Sequence, residues 1–206
     1  MTSLGITEQA YSPDKLIVSE KVITEETVVL SGEGVLTRST LLGQVTREVG
    51  TIVAGVGNTG DGTAAATMGH DAEIGNYLVT MSGATAFAIT SPQGFALPST
   101  NTHITVVITA GSTPLISGDT FTVPVEVPAA VKFRKALLAS VDGSEIPDRI
   151  LGADIDAISA DVTTWSYIAA EVDKDEVTFG TGLTVANTKD ALRAKNIILK
   201  TVAKGN

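Results

Sequence analysis

Cysteine is absent from all 206 residues, so disulfides, thiolate chemistry and a cysteine-based zinc site are excluded, and redox usage does not report a compartment. Aromatic residues make up only 4% of the chain, which leaves the core to Val, Ile, Leu and Ala and argues against a sugar-binding platform of stacked rings. Basic residues are scarce as well, 14 against 23 acidic, for a formal charge of −9 and a pI near 4.6. Phosphate repulsion would oppose every sequence-independent encounter with nucleic acid, and no nucleic-acid partner is expected. No apolar run approaches the about 20 residues of a membrane span, and the opening MTSLGITEQA has neither a basic nor an apolar region of a secretory leader. The expectation is no membrane partner and synthesis in the cytosol.

The scarcity of basic residues is uneven. Between positions 51 and 130 there is no Lys or Arg at all, whereas both histidines, His70 and His103, fall there. The stretch reads as short strand candidates at 77–81, 86–90, 104–109 and 120–127, separated by the turn signals Gly83, Pro92-Gln93-Gly94, Pro98, Gly111 and Gly118-Asp119. That spacing predicts a small β-sandwich or barrel.

An apolar fraction of 43% suits a packed core in one generous domain or two small ones. The segment EVDKDEVTFGTGLTVANTKDALRAKNIILK, residues 171–200, predicts a strand, a turn, one short helix and a closing strand. Val177 and Phe179 alternate with polar neighbours, and Gly180 and Gly182 allow a sharp reversal. Asn187 can cap the helix N-terminus with Asp190 near the positive end of its dipole, and Thr184 is an equally legal cap one turn earlier. Asn196 suits a left-handed stop, and the β-branched run Ile197-Ile198-Leu199 is expected to be the last core strand.

VTFGTG followed by TKDALRAKNIIL resembles the C-terminal end of the head decoration proteins of tailed bacteriophages, the lambda-type capsid-stabilising family. IPDRILGADID at 146–156 is similar to that family's strand ahead of its last third, and VLTRSTLLGQV at 35–45 to its first core strands. Residues 51–130 fall outside the likeness. Because matching segments lie on both sides, the economical reading is a decoration-like host domain formed by 15–50 plus 131–206 and interrupted by an inserted β-domain at 51–130, where added loop length costs little entropy.

Residues 1–14 carry no period and little bulk, and short β-like pieces at 15–18, 21–24 and 27–30 follow. A flexible N-terminal arm of this kind can add to the edge of another protein's sheet. The resemblance implies that it does so on a capsid, with Ser12, Pro13, Asp14, Lys15, Leu16, Ile17 and Val18 as the contacting residues. It also implies a homotrimer on the outer surface of the expanded head, bound at three-fold positions to the major capsid protein, and so a location in the virion. A competing reading is an adhesin-like or fibre-associated module that binds through the insert.

Features that imitate chemistry have structural explanations. Gly55, Gly57 and Gly60 fit G-x-G-x-x-G after a strand candidate at 51–54, but Asp61-Gly62-Thr63 marks a turn and AAATMG is too short for the helix a dinucleotide needs. Asp154 and Asp156 share a strand face, yet two carboxylates fall short of the about six to eight oxygens of a calcium site. Asp173, Asp175 and Glu176 with Lys174 read as a charged turn. His70 and His103 have no triad-like neighbour, and G-x-S-x-G is absent. Trp165 and Tyr167, on one face of a strand expected at 163–169, are assigned to the core in preference to a subunit contact. The expectation is a mainly β protein with one short C-terminal helix, with no enzymatic activity, metal or cofactor.

Overall fold

The computed structural model describes residues 14–98 and 100–202. Alternation of β-branched and polar residues dominates both flanks of the chain, and the first elements are β1 (Ile23–Val29), β2 (Gly34–Leu36) and β3 (Leu41–Gln44). A middle group follows: β4 (Glu48–Val49), β5 (Val53–Ala54), β6 (Thr63–Met68), β7 (Gly75–Met81), β8 (Phe87–Thr90), β9 (Ala96–Leu97), β10 (Ile104–Thr109) and β11 (Thr120–Glu126). The chain then forms β12 (Phe133–Lys135), β13 (Pro147–Leu151), β14 (Ile155–Ala157), β15 (Val162–Asp173), α1 (Val185–Ala194) and β16 (Ile197–Lys200). The protein is mainly β with a single short C-terminal helix, as its sequence predicts.

Strands β1, β12, β3, β13 and β15 pair in that order, and β15 pairs back onto β1, closing a five-stranded barrel with β16 added in parallel to β15. One core draws on all five walls through Val29, Phe133, Leu42, Leu151 and the half-buried Val162, so it is the barrel interior; Leu36 of β2 and Ala157 of β14 close its end. The neighbouring residues Leu41, Ile150 and Tyr167 point the other way by strand alternation. They pack outside the wall with Leu183, Leu192 and Ile197 of the α1–β16 unit.

Polar groups occupy the rest of the interior. The Arg149 guanidinium lies 3.7 Å from the Phe133 ring centroid, and it donates to Asp148, Glu25 and Thr27 at 3.0, 3.1 and 3.1 Å. Thr27 in turn meets the Ser166 hydroxyl at 2.5 Å. No buried side-chain polar atom among the described residues lacks a partner.

The middle group makes two sheets, β4-β11-β7-β8-β9 with β5 on β11, and β10-β6. Their inner faces share one core of Tyr77, Val79, Met81, Ile89, Ile104, Phe121, Val123 and Val125. This is a β-sandwich. None of these residues belongs to either barrel core. Val49 pairs with Val125, so the strands that enter and leave the sandwich run side by side, starting at Glu48.

Several local expectations are revised. The pieces at 21–24 and 27–30 merge into one strand, β1, because Glu25 and Glu26 pair with Ser166 and Trp165 of β15 without a break. Residues 63–68 form a strand despite three alanines, since Ala64, Ala66 and Met68 alternate into the sandwich core. Val177 and Phe179 do not form a strand; only Thr178 bridges Thr40, after a turn at 174–176. Gly182 does supply a left-handed backbone (φ 82°), whereas Gly180 serves close approach, because a Cβ there would collide with the Ala136 carbonyl. Thr184, not Asn187, caps α1: its hydroxyl accepts from the Asn187 amide at 3.4 Å, and the Asn187 side chain accepts from the Thr184 amide at 2.7 Å. Asn196 adopts the left-handed stop (φ 62°), and β16 follows as expected.

Candidate functional site

The geometry that bears on partner binding lies where the N-terminal segment joins the barrel. Of the expected contact residues, Ser12 and Pro13 lie outside the described residues. Asp14 and Lys15 are exposed, Leu16 is buried in the outer barrel core, Ile17 is half-buried and Val18 is exposed. The Leu16 carbonyl accepts from the Asp173 amide at 2.9 Å, Ile17 bridges Val172 in antiparallel sense, and the Val18 amide donates to the Glu171 carbonyl at 3.0 Å. Residues 16–18 thus extend the β15 edge that β1 occupies further back. Hydrophobic pattern explains why: Leu16 has the bulk and parity to fill a gap beside Tyr167, Val172 and Ile197.

Asp14 fixes the start of this edge twice. One carboxylate oxygen accepts from the Leu16 amide at 3.0 Å, and the other pairs with Arg38. The hydrogen bond from Arg38 holds the Asp14 carboxyl below its ordinary value, aided by the Leu16 amide against the cost of partial burial. Arg38 is correspondingly raised, chiefly by Asp14, and also donates to the Tyr167 hydroxyl at 2.8 Å while sitting 5.8 Å from that ring.

Trp165 packs edge-on against Tyr167 with centroids 5.1 Å apart and planes at 82°. Here the core assignment is corrected. Tyr167 is buried, but Trp165 remains 40% exposed, because both rings point out of the barrel and α1 covers only the Tyr167 end of that wall. The Trp165 ring lies on Gly152, whose missing side chain leaves it room. Beyond the bulge between Ile23 and Thr24 the chain leaves the sheet, and Ser19, Lys21 and Ile23 line a cleft of about 360 Å³ with Ala169, Glu171 and Asn196.

Nothing in the sequence around Arg38 marks it as functional; its contacts with Asp14 and the Tyr167 hydroxyl, 24 and 129 positions away, are what place it on the wall.

The other candidates resolve into structure. Thr59 and Gly60 amides, which a pyrophosphate would require, donate instead to the buried Asp119 carboxylate at 2.8 and 3.1 Å, and a strand rather than a helix follows. Asp154 and Asp156 do not share a strand face: Asp154 precedes β14 and accepts from the distant Arg38 amide at 2.6 Å, whereas Asp156, within β14, accepts from the Ile158 amide at 3.0 Å. Lys174 pairs with Asp175 within the charged turn. His103 Nδ1 lies 3.3 Å from the Tyr77 hydroxyl, which accepts from the Glu73 amide, and the His70 carbonyl accepts from Arg47. Among the described residues no group of three His, Asp or Glu side chains could hold a metal ion, and no helix is long and apolar enough to cross a membrane.

No protein-family model, curated protein or solved structure matches this chain.

Proposed function

We propose that this chain is a capsid decoration protein: a homotrimeric cement that sits on the outer surface of a phage head at three-fold positions. There it would clamp neighbouring major capsid subunits against internal DNA pressure, as part of the virion. The observation that carries the reading is the anchored root at residues 14–18. A segment meant to grip a neighbour must be tied firmly at its own end, since tension on a loose root would be lost as chain extension. Leu16 in the core, two backbone bonds to β15 and the Arg38–Asp14 pair provide such a tie.

Exposed Trp165 and partly exposed Arg38 stand beside that root, each packed against the buried Tyr167, and Trp and Arg are among the residue types that dominate binding energy at interfaces. The work is mechanical and needs neither turnover nor a cofactor. Three copies acting together turn a modest affinity per arm into avidity. Mixing the purified protein with matching expanded empty heads tests this: stoichiometric, saturable uptake is expected, and removal of residues 1–13 should abolish it. Unchanged uptake by the truncated chain would exclude the arm, and no uptake by the full chain would exclude decoration of those heads.

A binding module acting through the sandwich is supported by one observation, Phe95, which is 70% exposed at the turn between β8 and β9. The other phenyl and phenol rings of the sandwich, Tyr77, Phe121 and Phe87, are buried or half-buried, so Phe95 offers a single contact instead of a platform.

A further inference from the structure

Strand β10 is hydrogen-bonded on one side only. It pairs with β6 in unbroken antiparallel register from Ile104↔Met68 to Thr109↔Thr63, and its other edge has no backbone partner among the described residues. An open edge presents a row of unpaired amides and carbonyls that another strand can satisfy, and natural edges are usually blunted by Lys, Pro, a bulge or an inward charge. The sequence Ile104-Thr105-Val106-Val107-Ile108-Thr109 has none of these devices.

We propose that this edge pairs with the same edge of a second copy, antiparallel, about a two-fold axis through Val107. The pattern is self-complementary in this register. Val106 would face Ile108 of the partner on the inner side, and Thr105 would face Thr109 on the outer side. Across four strands the outer face would then read in matching rows: Thr63, Thr109, Thr105, Thr67 in one, and Ala65, Val107, Val107, Ala65 in the next. Such rows repeat the Thr–Thr and Ala–Val pairs already present between β6 and β10.

The strand itself suits the same occupant: none of Ile104-Thr105-Val106-Val107-Ile108-Thr109 is ionisable, so two β10 edges meet without burying a charge, and Asp61, Asp71, Glu73, Asp119 and Glu126, the carboxylates of residues 51–130, all lie outside the strand. Two short edges bury far less than the about 1,200 Å² of a stable interface, so the contact is weak alone and gains strength where copies are held side by side. It does not depend on decoration.

The chain has no cysteine, so Val107→Cys introduces its sole thiol at a position 59% exposed, and directly opposed strand residues are close enough for a disulfide. Leu78→Cys, 42% exposed on the outer face of the other sheet, is the control. Under mild oxidation at high concentration the Val107 variant should form linked dimers roughly tenfold faster, because pairing raises the local thiol concentration. Adding Thr105→Lys and Thr109→Lys, which oppose lysines across the axis, should return the rate to that of the control. Equal rates at 107 and 78, or indifference to the lysines, would overturn the proposal. Sedimentation of cysteine-free protein gives a second readout: mass should rise with concentration for the natural chain and not for the double-lysine variant, and identical behaviour would overturn it. Uptake by empty heads is unaffected by this contact, so the two proposals fail separately.

Discussion

Arg149 brings both a positive charge and side-chain volume into the barrel. Both Arg149→Ala and Arg149→Met withdraw the charge from Glu25 and Asp148, and in both Asp148 still meets Lys195 at 2.5 Å and Thr27 still meets Ser166, so the two variants differ in volume. Alanine leaves the space beside the Phe133 ring empty, whereas methionine fills most of it. Chemical denaturation should therefore rank the alanine variant below the methionine variant by about 2 kcal/mol or more. At the surface, Arg38→Ala should cost at most about 1 kcal/mol, because the Asp14 pair is partly exposed and screened. Its clearer effect is local: amide exchange at Leu16 and Val18 should quicken. Since the folded Asp14 carboxyl is held below its unfolded value, its contribution is complete above about pH 4 and is lost as pH falls through the lower folded value. Acidification below about pH 4 should lower the protection factors of the same amides, measured against their intrinsic rates at each pH, in the natural protein and change them little in Arg38→Ala.

At the scale of elements, residues 14–18 decide where an arm can begin. Removing 1–13 should leave thermal unfolding nearly unchanged, whereas removing 1–18 also deletes buried Leu16 and the bonds to β15, at a cost of about 2–5 kcal/mol for the side chain alone. A calorimetric comparison of the two truncations checks this, and equal midpoints would show that the root adds nothing to the barrel. Helix α1 offers a smaller test. Thr184→Ala removes a reciprocal cap and should cost about 1 kcal/mol, seen as a lower denaturation midpoint. Much of this level was legible in the sequence: β10 and β16 fall where alternation and β-branching put them, and Asn196 ends the helix as its αL tolerance suggests. The failures share one cause. Alanine at 64–66 carries little local preference for a strand, and Val177 with Phe179 carries a strong one, yet each was settled by what lay opposite it.

For the whole molecule, the paired entry and exit strands and the separate cores bear on modularity. Because Val49 lies beside Val125, a short turn could replace the sandwich without pulling on β3 or β12. The chain with residues 50–124 replaced by a tight turn should retain a single cooperative transition and uptake by empty heads; loss of both would mean that the barrel needs the sandwich. One contact opposes complete independence. Arg47 donates to the Val141 carbonyl at 2.7 Å and to the Ala72 carbonyl at 3.1 Å, and so ties the sandwich to the β12–β13 connection.

Composition and periodicity alone determined that this chain would be mainly β, free of thiol chemistry, poor in rings and divided by charge at about residues 51 and 130, because those properties are local and additive along the chain. Which strands close the barrel, that Arg149 lies inside it, that Trp165 stays exposed while Tyr167 does not, and that residues 14–18 are bound to β15 were decided only by tertiary structure. The partners involved lie far along the sequence, more than 100 positions for β1 with β15, Glu25 with Arg149 and Leu16 with Asp173, and pairing over such separations is set by packing in three dimensions.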